Sequence, residues 1–121
     1  GKHTIAMKLV QGSKYPMYTI CGVVRDGAPC NQFHFDREST VGWFMNSDNG
    51  GLYGNGKCYD DEAGRIEPGQ VLIMQVDTDA GTLKFIVDGK LHGPGYTSGV
   101  TGPLRWATCV INKDDAVEIF A

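Results

Sequence analysis

"VLIMQVDTDAGTLKFIVDG", residues 71–89, decides the fold. Two apolar runs flank Asp77-Thr78-Asp79-Ala80-Gly81. In the second run Leu83, Phe85 and Val87 share one face by period-two alternation, with Lys84 and Asp88 on the other. Leu72, Met74 and Val76 line one face of the first run in the same way. The segment between them fits a hairpin connection: Gly81 can take a positive φ, and the Asp side chains can satisfy turn amides. A calcium loop is the competing reading, and it requires acidic ligands that continue at regular spacing. After Asp79 the acids stop; the next ligand position is Gly81, and Lys84 and Phe85 follow. The stretch therefore reads as strand, turn, strand.

Working outward, strand signals dominate. "TIAMKLV" (4–10), "MYTICGVV" (17–24), "STVGWFM" (39–45), "LRWATCVI" (104–111) and "AVEIFA" (116–121) join the runs at 70–76 and 82–88. "NSDNGG" (46–51) is a polar turn, "GLYGNGK" (51–57) opens a Gly-rich passage, and "CYDDEAGRIEPG" (58–69) and "GKLHGPGYTSGVTG" (89–102) read as loops. No segment keeps apolar residues at helical spacing over three turns. Many short strands between turn signals, with 17 glycines and five prolines, predict an all-β sandwich or barrel. With 121 residues and no repeat, linker or low-complexity tract, residues 1–121 are expected to form one domain, a fragment of a larger protein.

Charge and cysteines narrow the function classes. The net charge is −3 and the Lys and Arg residues are scattered, which argues against a nucleic-acid groove or an anionic membrane surface. Cys21, Cys30, Cys58 and Cys109 form no C-x-x-C pair; two disulfides are compatible with the sequence. Cys21 and Cys109 lie in apolar strand-like runs, so reduced structural thiols and a cytosolic home are the expectation. Cys21, Cys30 and His34 have the chemistry of zinc ligands, but the second tight pair of a structural site is missing, and no metal or cofactor is expected.

Catalytic patterns fail one by one. Ser13, Ser39, Ser47 and Ser98 lie in no nucleophile elbow, and His3, His34 and His92 in no general-base signature. Glu62, Glu67 and Glu118 have no carboxylate partner on a strand, and Asp60-Asp61-Glu62 reads as a solvated acidic loop. No enzymatic activity is expected.

Two family resemblances address binding. "FHFDRE" (33–38) is similar to the His-Phe-Asn-Pro-Arg run of galectins, which would make His34 and Arg37 a galactose clamp. A single Asp36 replaces Asn-Pro, and no Glu-x-Arg pair follows Trp43, so a galectin-like carbohydrate-binding module is the alternative reading. The broader likeness runs from Gly22 to the C-terminus. Gly42-Trp43, Leu52-Tyr53, Gly56-Lys57 and Asp77 through Gly89 match, in order and spacing, the SPRY domain pattern, closest to the SPRY domains of SOCS-box adaptor proteins.

That resemblance implies a bent β-sandwich of two antiparallel sheets, concanavalin A-like in architecture. It also implies a non-catalytic protein–protein interaction module. Loops at one end would form a shallow pocket for a short peptide or loop of a partner, as in adaptors that recognise ubiquitin-ligase substrates. The adaptors' Val-Trp-Gly corner falls on Val110, Ile111 and Asn112, with Ile111 in place of the Trp and Asn112 in place of the Gly, and their basic-proline stretch has no counterpart. The expected partner-binding residues are Phe33, His34, Phe35 and Arg37 from one loop, and Val110, Ile111, Asn112, Lys113 and Asp114 from the last. Trp43 and Trp106 are expected in the core, Tyr53 and Tyr59 at a rim, and the domain is expected to be monomeric.

Overall fold

The computed structural model describes residues 1–12, 14, 18–27 and 42–120, with only the backbone of 58 and 59. Among the described residues ten strands are present: β1 (Lys2–Val10), β2 (Thr19–Arg25), β3 (Gly42–Asn46), β4 (Leu52–Gly54), β5 (Lys57–Asp60), β6 (Val71–Asp77), β7 (Thr82–Val87), β8 (Lys90–Leu91), β9 (Leu104–Val110) and β10 (Ala116–Phe120). They form two five-stranded antiparallel sheets, ordered β10-β1-β6-β7-β8 and β5-β4-β3-β2-β9. No helix occurs among the described residues.

The central hairpin forms as its sequence dictates. Gly81 has φ of 73°, and its amide donates to the Asp77 carbonyl at 2.8 Å. Asp77 Oδ1 accepts the amides of Asp79 and Ala80, each at 3.0 Å. The carboxylate thus closes a tight turn, the role an Asx side chain plays in such connections.

Two strands lie inside segments that read as loops. β5 follows Asn55-Gly56 and β8 follows Asp88-Gly89, and all four residues have positive φ. Such pairs twist the backbone to suit a two-residue hairpin, so each short run folds back on its predecessor. The last two strands lie in different sheets. They are not a hairpin: β9 pairs with β2 in one sheet and β10 with β1 in the other, so residues 111–115 cross between sheets.

The inner faces make the core: Met7, Leu9, Leu72, Met74, Leu83 and Phe85 from one sheet meet Cys21, Val23, Trp43, Met45 and Leu52 from the other. Trp43 is fully buried, as expected of a core aromatic, with the Arg25 guanidinium 4.8 Å from its ring centroid. Trp106 is only half-buried, packed against the core from the edge strand β9. The outer face of the second sheet is buried as well, at Ile20, Phe44 and Tyr53.

Tyr53 is therefore no rim aromatic: it is 4% exposed and its hydroxyl accepts Asn46 Nδ2 at 2.9 Å. Its strand lies in the interior of the second sheet, between β3 and β5. The Tyr59 side chain lies outside the described residues.

Cys21 and Cys109 are free thiols on opposite faces of the second sheet. Cys21 is buried, its Sγ 3.6 Å from Met7 Sδ and 3.5 Å from Thr108 Oγ1. Burial pushes its pKa up to about 11, against the weaker opposing effect of the Thr108 contact. Cys30 and His34 lie outside the described residues.

Candidate functional site

Strand register fixes which loops share an end. Thr19 pairs with Val110 and Arg25 with Leu104, so Val110 and Leu104 mark opposite ends of the second sheet. At the Val110 end stand the 47–51 turn, the crossing segment 111–115 and the exit of β1, where Gly69 donates to the Leu9 carbonyl at 2.8 Å.

The crossing segment is held from both sheets. Ile111 N donates to the Tyr18 carbonyl at 3.1 Å, and Asp115 N to the Asn112 carbonyl at 3.2 Å, closing a turn over Lys113 and Asp114. Asp115 is nearly buried, and its Oδ1 accepts the Gly12 amide at 2.9 Å. Gly12 sits so close that a Cβ there would lie 1.9 Å from the Asp114 carbonyl oxygen. Asp114 itself has φ of 75°, in the region Asp tolerates better than most residues. On this fixed frame Ile111 is 47% exposed, and Lys113 and Asp114 are exposed beside it. The segment thus presents an apolar side chain, a cation and an anion on a short, braced backbone.

The structure does not bring the two expected groups of site residues together within what it describes. Val110 through Asp114 form one surface. Phe33, His34, Phe35 and Arg37 lie outside the described residues, in a segment that leaves β2 at Arg25 and re-enters β3 at Gly42. Both anchors are at the Leu104 end, since Val24 pairs with Gly42.

That other end carries a cleft of about 290 Å³ between the sheets. His3, Val76 and Thr78 line it from the first sheet, and Val23, Leu104 and Trp106 from the second. Arg105 at its mouth is paired with Asp26 at 2.6 Å. Sequence reasoning missed this cleft because it assigned Trp106 wholly to the core. The signal was that "LRWATCVI" belongs to an edge strand, whose inward side chains have neighbours on one side only.

No group of three or more His, Cys, Asp or Glu side chains able to hold a metal occurs among the described residues. The acidic stretch is a surface feature: Asp61 pairs with Lys57 at 2.9 Å, and Asp61 and Glu62 are exposed. Trp43, fully buried, offers no platform for a sugar ring.

No protein-family model matches the chain. No curated protein matches it either. Solved structures do. The SPRY domain of human HERC1 superposes with a TM-score of 0.78 over 98% of this chain and 74% of its own, at 19% identity. The TRIM65 PSpry domain superposes with a TM-score of 0.65 over all of this chain and 65% of its own, at 14% identity. The all-β sandwich of two antiparallel sheets is thus the fold of SPRY domains.

Proposed function

We propose that this SPRY-fold domain is a non-catalytic protein-interaction module that docks a short peptide or loop of a partner at the Val110 end of the sandwich. One observation carries the reading: Ile111 is exposed on a segment whose backbone is tied to Tyr18, Asn112 and Gly12, so its apolar side chain is presented on a backbone already ordered before binding. Lys113 and Asp114 flank it and supply direction to a polar partner segment. The likeness in fold to the HERC1 and TRIM65 domains supports an interaction role in general, and the sequence likeness to SOCS-box adaptors extends it to recruitment of ubiquitin-ligase substrates. Free thiols at Cys21 and Cys109 fit a cytosolic home.

Phe33, His34, Phe35 and Arg37 complete the proposed surface. Phe33, His34 and Phe35 lie near the middle of the 26–41 segment, about eight residues from either anchor, and eight extended residues span about 26 Å; Arg37, five residues before Gly42, reaches about 17 Å from that anchor. β2, with seven residues, is about 20 Å long, so the segment has the length to reach the Val110 end.

The test is a peptide-display selection followed by affinity measurement of the selected sequences. Ile111→Ser and Lys113→Glu should each weaken binding by about tenfold or more while leaving the Tm nearly unchanged, and Asn112→Trp should alter which peptides are selected. Peptides that bind all three variants as they bind wild type would remove the site from this turn. Binding competed by free galactosides would favour the carbohydrate reading and return attention to His34 and Arg37.

A further inference from the structure

The outer face of the first sheet carries an apolar row that crosses all five strands. Ala6 stands opposite both Phe120 and Ile73, Ile73 opposite Ile86, and Ile86 opposite Leu91. The row thus reads Phe120, Ala6, Ile73, Ile86, Leu91 from edge to edge. Phe120 is 40% and Leu91 66% exposed, and the three between are half-buried. The rows on either side are polar: Thr4, Gln75 and Lys84 on one, Glu118 and Lys8 on the other, the latter continuing through Val71 to Asp88. Alternation on a sheet with one solvated face should put polar side chains outward. Here one row breaks it on every strand at once, beside outward valines at Val71 and Val10.

The row is complementary to itself. Ala6 is a notch between the larger Phe120 and Ile73, and Ile86 is a protrusion at the same distance on the other side of the central Ile73. A two-fold axis parallel to β6 and lying above Ile73, midway between the copies, would seat Ile86 of each copy over Ala6 of the other. It would also bring the two most exposed side chains together, Phe120 on Leu91. In the row beside them it would set Lys8 of each copy against Asp88 of the other, and Lys84 against Thr4, with no like charges opposed in either flanking row. A two-fold interface requires this pattern, in which residue i meets j and j meets i.

We infer that this face joins two copies of the chain, sheet to sheet, into a reversible homodimer. Five strands at about 4.8 Å and three rows of side chains give roughly 450 Å² per copy. The total of about 900 Å² falls below the standard range for stable complexes, so the association depends on concentration. Rotation about an axis parallel to the strands keeps both Val110 ends on the same side. The dimer would then present two peptide-docking turns in one direction and engage a bivalent partner by avidity. The interface itself does not rest on that docking role, and it departs from the monomer expected from the sequence.

Sedimentation equilibrium of the isolated chain from about 10 µM to about 1 mM tests it. The weight-average mass should climb from 13.1 kDa toward twice that value. Ile86→Glu should hold the mass at the monomer throughout. Lys8→Asp and Asp88→Lys should each weaken association about tenfold, and the double exchange should restore it. Asp88 closes the β7–β8 turn and accepts Gln70 Nε2 at 2.8 Å, so the exchange pair is read beside thermal melts of each variant, and with those it decides the matter even if Ile86→Glu compromises folding. A wild-type chain that stays monomeric at every concentration would overturn the inference, as would a dimer indifferent to the charge exchanges.

Discussion

Tyr96 and Leu83 exchange two backbone hydrogen bonds, amide to carbonyl at 2.9 Å in each direction. From the same residue the side chain crosses to the other sheet. There the Tyr96 hydroxyl accepts the Phe44 amide at 3.2 Å, and its proton is shared between the carbonyls of Phe44 and Tyr53. Tyr96 lies in no regular strand, yet it fastens β7 to β3 and β4.

Tyr96→Phe should therefore cost far more than a surface hydroxyl. The ring stays in place, but buried backbone groups of Phe44 and Tyr53 lose the hydrogen bonds to this hydroxyl, at a cost of about 1–3 kcal/mol. Thermal melts should show a Tm lower by several degrees. An unchanged Tm would mean that water or another donor replaces the hydroxyl.

How much of this was legible in sequence depends on the range of the signal. The 71–89 hairpin was legible because alternation and turn chemistry are local. β5 and β8 were legible in principle, through Asn55-Gly56 and Asp88-Gly89, whose turn signals outweigh the shortness of the strands that follow. The bond from Tyr96 to Phe44 was not, since it joins residues 52 apart and nothing in "GPGYTSG" marks its tyrosine as buried. The Val110–Asp114 turn was placed by alignment to a family corner. Its bracing by Gly12 and Asp115 needed the sheet order, because β1 and β10 are neighbours only in space.

Trp43→Ala empties a fully buried site at the centre of the core, at a cost of roughly 3–5 kcal/mol. For a domain of this size that is much of its stability, and unfolding at ambient temperature is the expected outcome. A soluble variant with a cooperative melt near that of wild type would sink the assignment of Trp43 as the core's central aromatic.

Gly12→Ala and Asp115→Ala probe the brace of the docking turn from its two sides. A methyl at Gly12 collides with the Asp114 carbonyl and must push the turn outward. Asp115→Ala leaves the Gly12 amide without its acceptor, at about 1–2 kcal/mol. Both should weaken peptide binding without replacing a contact residue, and selected peptides titrated into either variant would read the loss. Full affinity in both would mean that the turn needs no support from β1.

Asp77 should make the central hairpin sensitive to acid. Its pKa is lowered, first by the Ala80 amide; desolvation opposes this as the second-largest effect, and the Asp79 amide and the nearby positive charges then add to the lowering. A depressed carboxylate stabilises the fold above its unfolded pKa, near 4, and that contribution disappears as pH falls through the folded value. Denaturant midpoints for wild type and Asp77→Asn should therefore differ at pH 7 and converge on acidification. Curves that stay parallel down to about pH 2 would show that the turn does not need the charge.

At the alkaline side Cys21 is one of the groups that contribute. Burial raises its pKa from 9.0 to about 11, so the folded chain keeps a neutral thiol where the unfolded chain holds a thiolate. The stability associated with that thiol is complete below about pH 9 and is lost as pH rises through about 11, roughly 2–3 kcal/mol in all. Cys21→Ala removes this loss but leaves a small cavity whose cost does not vary with pH. The variant should therefore be less stable than wild type at pH 8, and the gap should narrow or reverse by pH 11. The same burial should keep Cys21 unreactive toward a thiol reagent at pH 8 in the folded state, while denaturant exposes it. Labelling of Cys21 in the native protein at the rate seen in denaturant would contradict the packing of its sulfur against Met7 and Thr108.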